Sequence, residues 1–218
     1  MSRAILTSLE SAITAFETGR PVLIYDGADR EHEVDLLYPA ESVDTMAVTR
    51  LRNDAGGLVF VAIPADVADA FELPFLHDVI DHPATEYEDV GYDARPSFSL
   101  SVNHRETYTG VTDEDRAKTI KELAAAAQTP ERTDFAAEFR APGHVHLLRG
   151  AQGLLADRQG HTELGLALAE AADVSAIAGA EMLDDTSGKA MSPDAAREYA
   201  ARHELVYLDA RDVCSHFS

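Results

Sequence analysis

The chain has 218 residues, of which 45% are hydrophobic, and a formal net charge of -21 from 39 acidic and 18 basic side chains. This length and apolar content suffice for one well-packed domain spanning residues 1–218. The acidic excess argues against nucleic-acid binding, because phosphate backbones are bound by clustered Lys and Arg, and the only lysines are Lys118, Lys121 and Lys189.

The negative charge is also a clue to the environment. Acidic side chains in such excess repel one another and strain the compact state at low salt. We expect a halophilic protein, adapted to a cytoplasm in which dissolved salt screens this repulsion over a few ångströms. The alternative is an ordinary, moderately acidic surface that does not depend on salt.

The sequence also indicates a compartment. Cys214 is the only cysteine, which excludes an internal disulfide and a thiolate zinc cluster. The N-terminus lacks the long apolar core of a signal peptide, and no run approaches the ~18 apolar residues of a membrane helix. We expect a cytoplasmic protein with no membrane partner.

Helices and strands are predicted to alternate along the first half of the chain. Leu6, Leu9, Ile13 and Phe16 recur at helical spacing before Gly19. The predicted elements are a helix over 4–18, strands at 21–25 and near 36, a helix capped by Ser42 or Asp44 that runs to about 51, a strand at 58–63, and a helix with Pro64 at its first position.

The alternation continues after an irregular segment, 74–97, which we interpret as a long loop and a candidate lid. The later predicted elements are a strand at 98–102, a helix capped by Thr112 that runs to 124–127, strands at 144–148 and near 154–155, a turn at 158–160, a helix at 163–172, a strand at 175–182, a helix capped by Ser192, and a strand at 205–208. This order favours an α/β (α+β) fold, a three-layer sandwich with a mixed β-sheet covered by helices.

The most informative segment is an acidic loop, residues 26–35, between two apolar runs that are predicted as buried strands. Its carboxylates are ligands of the kind that Mg²⁺ or Mn²⁺ prefers; they belong to Asp26, Asp29, Glu31, Glu33 and Asp35. Arg30 could neutralise one of them or bind a phosphate. A plain acidic surface loop is the alternative, and an EF-hand is disfavoured because Gly27 is out of place for that loop.

A second candidate is the motif Arg158-Gln159-Gly160-His161-Thr162, directly before a predicted helix. Gly160 would let a ligand approach the backbone, and Thr162 can cap the helix, whose free amides attract an anion. Arg158 adds a bidentate fork for phosphate, while His161 could ligate a metal or transfer protons. An ordinary helix cap is the alternative.

Three further patches carry polar groups at the ends of predicted elements. His144 begins a strand, Glu181 ends one, and the turn 107–112 is rich in hydroxyl groups. A carboxylate at a strand end often faces a crevice, although each of the three patches also has a purely structural reading. Carboxylates, an imidazole and a phosphate cradle together suit a phosphorylated, oxygen-rich small molecule whose carbonyl a divalent ion polarises.

These motifs resemble those of 3,4-dihydroxy-2-butanone 4-phosphate synthase, most closely the archaeal, single-domain type. The resemblance runs from about residue 4 to the C-terminus and is vaguest over 74–97. It is carried by Asp29-Arg-Glu31 with Glu33 and Asp35, by Asn103-His-Arg105, Thr109-Gly-Val-Thr-Asp113 and Asp115-Arg-Ala117, and by Phe139-Arg-Ala-Pro-Gly-His-Val145, Leu147-Leu-Arg149 and Arg158-Gln-Gly-His-Thr-Glu163.

The resemblance implies a magnesium-dependent, homodimeric lyase of riboflavin biosynthesis that converts D-ribulose 5-phosphate into L-3,4-dihydroxy-2-butanone 4-phosphate and formate. It implies Glu31 and His161 as the ligands of Mg²⁺ or Mn²⁺, and His144, Glu181 and Glu33 as catalytic residues. The substrate-binding residues that it implies are Arg30, Glu31, Asp35, Thr109, Arg158, Gln159, Gly160, His161, Thr162 and Glu181.

Some positions depart from the family pattern. Gly27 and Ala28 replace residues that are commonly acidic, and His32 and Val34 stand where small residues are frequent. Val34 is expected to restrict the backbone of the loop, and His32 is a competing but weaker candidate ligand.

Two other classes of function remain open from sequence. One is a different metal-dependent phosphosugar enzyme, such as an isomerase or aldolase. The other is a non-catalytic acidic protein that buffers divalent ions or mimics nucleic acid, against which the ordered motifs argue. A family member that has lost activity is a third possibility, which nothing at the matched catalytic positions suggests.

Overall fold

A computed structural model describes residues 3–87, 90–91 and 93–217; the side chains of residues 3–7 are outside this description. Three positions of the predicted 74–97 loop, Glu88, Asp89 and Tyr92, therefore lie outside the described residues. No helix in the described ranges is long and apolar enough to cross a bilayer.

Seven strands form the main sheet. They and a separate two-stranded ribbon are, in chain order, β1 (Val22–Tyr25), β2 (Val34–Pro39), β3 (Phe60–Ile63), β4 (Phe98–His104), β5 (Phe139–Arg149), β6 (Ile177–Glu181), β7 (Leu183–Asp184), β8 (Lys189–Ala190) and β9 (Val206–Asp209). The sheet order is β4-β5-β3-β6-β2-β1-β9, and β7 pairs with β8. Because β1 is parallel to β9 and β3 to β5 while the other pairs are antiparallel, the sheet is mixed, as predicted.

Helices cover both faces of this sheet. They are α1 (Arg3–Glu17), α2 (Thr45–Arg50), α3 (Ala65–Ala70), α4 (Leu76–Val79), α5 (Asp113–Gln128), α6 (Phe135–Glu138), α7 (His161–Ala171), α8 (Pro193–Arg202) and α9 (Ala210–Phe217). Successive strand residues point to opposite faces, so Leu23 belongs to the core to which α2, α5 and α8 contribute, and Val22 to the core to which α1, α7 and α9 contribute. Two cores, one on each face, confirm the three-layer sandwich.

Most predicted elements are confirmed to within a few residues, and the differences are local. Asp44, and not Ser42, caps α2 by accepting a hydrogen bond from the amide of Ala47 at 2.8 Å. Pro64 is the N-cap of α3 and not its first residue. Within the predicted loop 74–97 the chain forms α4 and a 3-10 turn at Pro83–Thr85.

One predicted strand is wrong, and helices α6 and α9 and the ribbon of β7 and β8 were not predicted. Leu154–Ala156 is a 3-10 turn, whose Leu155 is buried in the core against α7. An apolar pair of this length has no periodicity that could separate a turn from a strand. The final helix, α9, has only Ala210 and Val213 buried, so its apolar pattern is too sparse to be recognised from sequence.

Candidate active site

Strand pairing brings the acidic loop together with residues far away in sequence. The loop joins β1 to β2, and in the antiparallel pairing of β2 with β6 Asp35 lies directly opposite Glu181. Opposed residues on neighbouring strands have Cβ atoms only about 5 Å apart. The sheet therefore places carboxylates from two distant segments at one point.

The buried side chain of Asp26 fixes the backbone of the acidic loop through hydrogen bonds. Its carboxylate is 4% exposed, and its two oxygens accept hydrogen bonds from the amides of Glu31 at 2.9 Å and Glu33 at 3.0 Å. The amide of Asp26 in turn donates to the carbonyl oxygen of Glu33 at 3.2 Å. These bonds fold the loop back on itself, which fixes the positions of Glu31 and Glu33.

His161, the first residue of α7, faces this loop with one ring nitrogen and the sheet with the other. Its Nε2 lies 3.2 Å from the carbonyl oxygen of Ile24, and because a carbonyl only accepts, Nε2 carries a proton. Its Nδ1 lies 3.7 Å from Oε2 of Glu31 and 3.9 Å from Oδ2 of Asp35. A neutral ring would point its lone pair at these two carboxylates, so this position calls for a proton or a metal ion.

The electrostatics of the cluster reflect the same shortage of positive charge. Burial and then the charges of Glu181, Glu31 and Asp35 raise the pKa of Glu33 to about 7. Burial raises the pKa of Asp35 to about 6 despite the opposing effect of His161, and burial raises the pKa of Glu181. For His161, burial opposes protonation, but the nearby carboxylates of Asp35 and Glu31 outweigh it and raise the pKa to about 9.

The donor set fits a hard divalent ion. Single ligand atoms of Asp26, Glu31 and His161 lie within 4.8 Å of one another. Two carboxylates and an imidazole whose other nitrogen is fixed by a carbonyl are a common metal-binding arrangement. Glu31 and His161 were predicted as ligands; Asp26, recognised from sequence only as one acid among several, lies close enough to be a third.

His32, the competing candidate ligand, faces away from this cluster. Its backbone is in the left-handed region (φ 62°). Its Nδ1 lies 2.6 Å from the hydroxyl of Tyr25, and the two rings meet edge to face. Val34 is fully buried in β2, so the departure from a small residue there is accommodated by the core.

A cavity of about 190 Å³ opens over the carboxylates. The predicted site residues that line it are Glu31, Glu33, Asp35, Arg158, His161, Thr162 and Glu181. A larger cleft of about 770 Å³ lies elsewhere, between α3, the end of α5 and α7. Because its lining residues include no predicted site residue, we place the candidate active site in the smaller cavity.

The start of α7, predicted as an anion cradle, lies at one end of this cavity, and its cap differs from the prediction. The N-cap of the helix is Gly160, and Thr162 lies in the first turn, 3% exposed, so it does not cap the helix. A Cβ at Gly160 would lie 2.5 Å from Nη1 of Arg158, so a larger residue here would require the Arg158 guanidinium to shift. Gln159 is exposed, and its side-chain amide donates to the carbonyl oxygen of Leu155 at 3.4 Å.

Arg158 itself is held by two acids that sequence analysis did not select. Its Nη1 donates to Oε2 of Glu163 at 2.7 Å, and its Nε donates to Asp93. Arg30 also binds Asp93, at 3.0 Å. Glu163, which is fully buried, could have been selected from sequence because it ends the motif at 158–163. Asp93 could not, because it lies in the irregular segment 74–97.

Two predicted residues, His144 and Thr109, lie apart from the cavity and meet around Asn103. The Asn103 side chain accepts a hydrogen bond from the amide of His144 at 2.8 Å and donates to the carbonyl oxygen of Thr109 at 3.3 Å. Gly110 allows this approach, since a Cβ there would lie 2.1 Å from the Asn103 side chain. His144 and Thr109 are both exposed, beside Tyr108, which is 93% exposed.

Comparison with known proteins decides the family. Residues 10–216 match the family model described as 3,4-dihydroxy-2-butanone 4-phosphate synthase. The chain belongs to the 3,4-dihydroxy-2-butanone 4-phosphate synthase family.

Relatives in this synthase family cover almost the whole chain. The synthase of Archaeoglobus fulgidus is 43% identical over 98% of this chain and 95% of its own length. The synthase of Methanosarcina mazei is 41% identical over 94% of this chain and 89% of its own length. These similarities confirm the resemblance to the archaeal members.

A solved synthase structure shares the fold. That crystal structure, described as a complex with two magnesium ions, is 28% identical, covers 95% of each chain and superposes with a TM-score of 0.81. The mixed seven-stranded sheet covered by helices is thus the fold of the synthase family. The ions belong to that protein; in this chain, Asp26, Glu31 and His161 are a group of donors that could hold a metal ion.

Proposed function

We propose that this protein is a lyase of riboflavin biosynthesis that converts D-ribulose 5-phosphate into L-3,4-dihydroxy-2-butanone 4-phosphate and formate. The observation that carries the proposal is the position of His161, whose Nδ1 faces Glu31 and Asp35 while the helix that it begins presents an anion cradle. Metal-binding and phosphate-binding groups thus lie one residue apart in the chain, as a phosphorylated sugar that chelates an ion requires.

Glu31 and His161 would hold the ion, Mg²⁺ or Mn²⁺, with Asp26 as a third ligand. When bound, the ion polarises the carbonyl and hydroxyl oxygens of the pentulose. Asp26 also holds the loop amides on either side of His32, so its second task is to keep Glu31 directed at His161. Ile24 keeps the proton of the imidazole on Nε2, which leaves Nδ1 available for the ion.

Glu33 is the proposed first base, which removes the proton on C3 of the sugar. A general base works best with a pKa near the working pH, and the pKa of Glu33 is raised to about 7. Glu181, opposite Asp35 on β6 and close to Glu33, is the proposed partner for later proton transfers. Loss of the C1 hydroxyl as water, a skeletal rearrangement and release of C4 as formate, which takes up one water molecule, complete the reaction.

The substrate phosphate is proposed to bind at the start of α7. The helix amides, the guanidinium of Arg158 and Thr162 surround that end of the cavity. Arg30 approaches the same point, since it binds the same carboxylate as Arg158. Asp35 is proposed to bind a sugar hydroxyl, and Gln159 to support the turn that aims Arg158.

His144 and Thr109 are proposed to serve the cavity of a second copy in a homodimer. Both are exposed in one copy and are absent from the lining of its cavity, although both are expected site residues. Tyr108 and Val111, 93% and 52% exposed, flank Thr109. Exposed apolar side chains around polar groups are typical of an interface, so dimerisation would cover them while delivering the missing residues.

A formate assay tests the function. Purified protein in high salt with ribulose 5-phosphate and Mg²⁺ is expected to release one formate per sugar consumed, and excess chelator is expected to stop the release. Consumption of the pentulose without formate would replace the proposal with a different phosphosugar enzyme. Metal binding without consumption would favour an ion-buffering protein.

A further inference from the structure

Asp93 occupies the point where Arg30 and Arg158 converge. Its Oδ2 accepts hydrogen bonds from Nη2 of Arg30 at 3.0 Å and from Nε of Arg158. The three side chains are largely shielded from solvent, with 19%, 16% and 15% of the Arg30, Arg158 and Asp93 side chains exposed. A carboxylate in such a position is far more tightly bound than one in a surface ion pair.

The arrangement resembles a protein phosphate site that is already filled. Two guanidinium groups around one anionic oxygen are the usual way to bind a phosphate monoester. Arg158 also donates to Glu163, so both arginines of the cradle are neutralised before any ligand arrives. A dianionic phosphate that approached this pair would meet two carboxylates as well as two guanidiniums.

Of the two carboxylates, Asp93 is the one that can leave. Glu163 lies within α7, is fully buried, and also accepts a hydrogen bond from the amide of Ala151 at 3.1 Å. Asp93 lies outside any helix or strand, and its other oxygen accepts a hydrogen bond from the amide of the next residue, Ala94, at 2.7 Å. Rotation of one side chain would therefore vacate the position without breaking a secondary-structure element.

We infer that Asp93 is an internal competitor for the phosphate-binding site, with its carboxylate between Arg30 and Arg158 in the free protein and displaced when the phosphate of a sugar phosphate binds. This inference rests on the proposed function, because it concerns the same arginines. A phosphate carries about two negative charges and the carboxylate carries one, so the two guanidinium groups bind the phosphate more strongly and it displaces Asp93. The apparent affinity is nevertheless lowered by the fraction of molecules in which Asp93 is engaged, and engagement in nine of ten lowers it about tenfold.

The test compares Asp93→Asn with Asp78→Asn. Asp78 pairs with Arg95 in the same region of the chain, so its variant removes an equal charge from a more exposed ion pair and leaves Arg30 and Arg158 unchanged. Calorimetric titration of each metal-free protein with inorganic phosphate is expected to give about tenfold tighter binding for Asp93→Asn, and less than about twofold change for Asp78→Asn. The KM for ribulose 5-phosphate is expected to fall in the same proportion in Asp93→Asn.

Weaker or unchanged phosphate binding by folded Asp93→Asn would overturn the inference, since Asp93 would then hold the arginines in place for the ligand or have no part in binding. A crystal of the wild-type protein soaked with inorganic phosphate gives an independent reading. Phosphate between Arg30 and Arg158 with the Asp93 carboxylate rotated away is expected; phosphate bound with both ion pairs of Asp93 intact overturns the inference. The phosphate titration and the crystal soak do not need turnover, so a wild-type protein that releases no formate would end the proposed function without deciding this inference.

Discussion

Nδ1 of His161 lies 3.7 Å from Oε2 of Glu31, although one residue begins a helix late in the chain and the other lies in the first hairpin. The opposite ring nitrogen is occupied by the carbonyl of Ile24, on β1. The strand that leads into the acidic loop therefore also sets the orientation of the imidazole. This single relationship connects the two motifs that the sequence presents separately, and the metal-dependent account depends on it.

Replacing Glu31 by Gln is expected to lower formate release by at least about a hundredfold, because a neutral amide is a poor ligand for a hard cation. The fold should persist, since the half-buried side chain of Glu31 takes part in a repulsive cluster and not in the core. Glu41→Gln is the matched control, because Glu41 is exposed and lies outside the cavity. Near-native turnover in Glu31→Gln would remove Glu31 from the metal site.

Glu33→Gln is expected to change how the stability of the metal-free protein depends on pH. The pKa of Glu33 is raised from 4.5 to about 7, so its ionisation opposes folding. The stability that the protonated Glu33 carboxyl contributes to the folded protein is fully present below about pH 4.5 and is lost as the pH rises through about 7. The wild type should therefore lose stability relative to Glu33→Gln between about pH 5 and pH 8.

Thermal unfolding of both proteins in chelator, measured across that range, checks this dependence. Added Mg²⁺ should reduce the difference, because a cation favours the ionised carboxylates. A melting-temperature difference that stays constant with pH would mean that Glu33 is not perturbed by its neighbours.

Mixed dimers test whether two copies share a site. Glu31→Gln and His144→Ala are each expected to be inactive alone, because one lacks a metal ligand and the other lacks the residue supplied to its partner. Random pairing makes about half of the dimers mixed, and one of the two cavities in each mixed dimer is intact, so activity should return to about a quarter of the wild-type value. Coexpression with two different tags isolates the mixed species for assay. No recovery in a verified mixed dimer would place His144 in the cavity of its own copy.

The acidic surface is expected to make stability depend on salt. The net charge of -21 concentrates like charges that molar salt screens to within about 3 Å. The melting temperature should therefore rise between dilute buffer and molar potassium chloride. Sodium sulfate at equal ionic strength is a useful comparison, because sulfate also strengthens apolar burial. A melting temperature that did not rise in potassium chloride would contradict adaptation to high salt.

The sequence predicts the layers of this fold because its apolar runs are long and well separated. Helix α5 was recognisable from Thr112 followed by three acids, and the structure places the Thr112 hydroxyl as acceptor for the amide of Asp115 at 3.1 Å. The segment 154–155 was misread because two leucines carry no period. Secondary structure can thus be predicted where several neighbouring positions indicate the same element. The prediction fails where only one or two positions carry a pattern.

The same distinction applies to the candidate site. Glu31, Glu33, Asp35 and His161 could be selected because their side chains suit metal chemistry in recognisable motifs. Asp93 could not, because its importance comes from the approach of Arg30 and Arg158 in space and from no local pattern. The separation of His144 from the cavity was equally hidden, since strand register and sheet order decide which residues meet.

The most direct measurement is a crystal of the protein soaked with Mn²⁺ and ribulose 5-phosphate, in which anomalous scattering locates the ion. One manganese peak is expected, bonded to the carboxylate of Glu31 and to Nδ1 of His161, with the sugar phosphate bound beside it at the start of α7. A manganese peak elsewhere, or one that contacts only one of these two residues, would contradict the account.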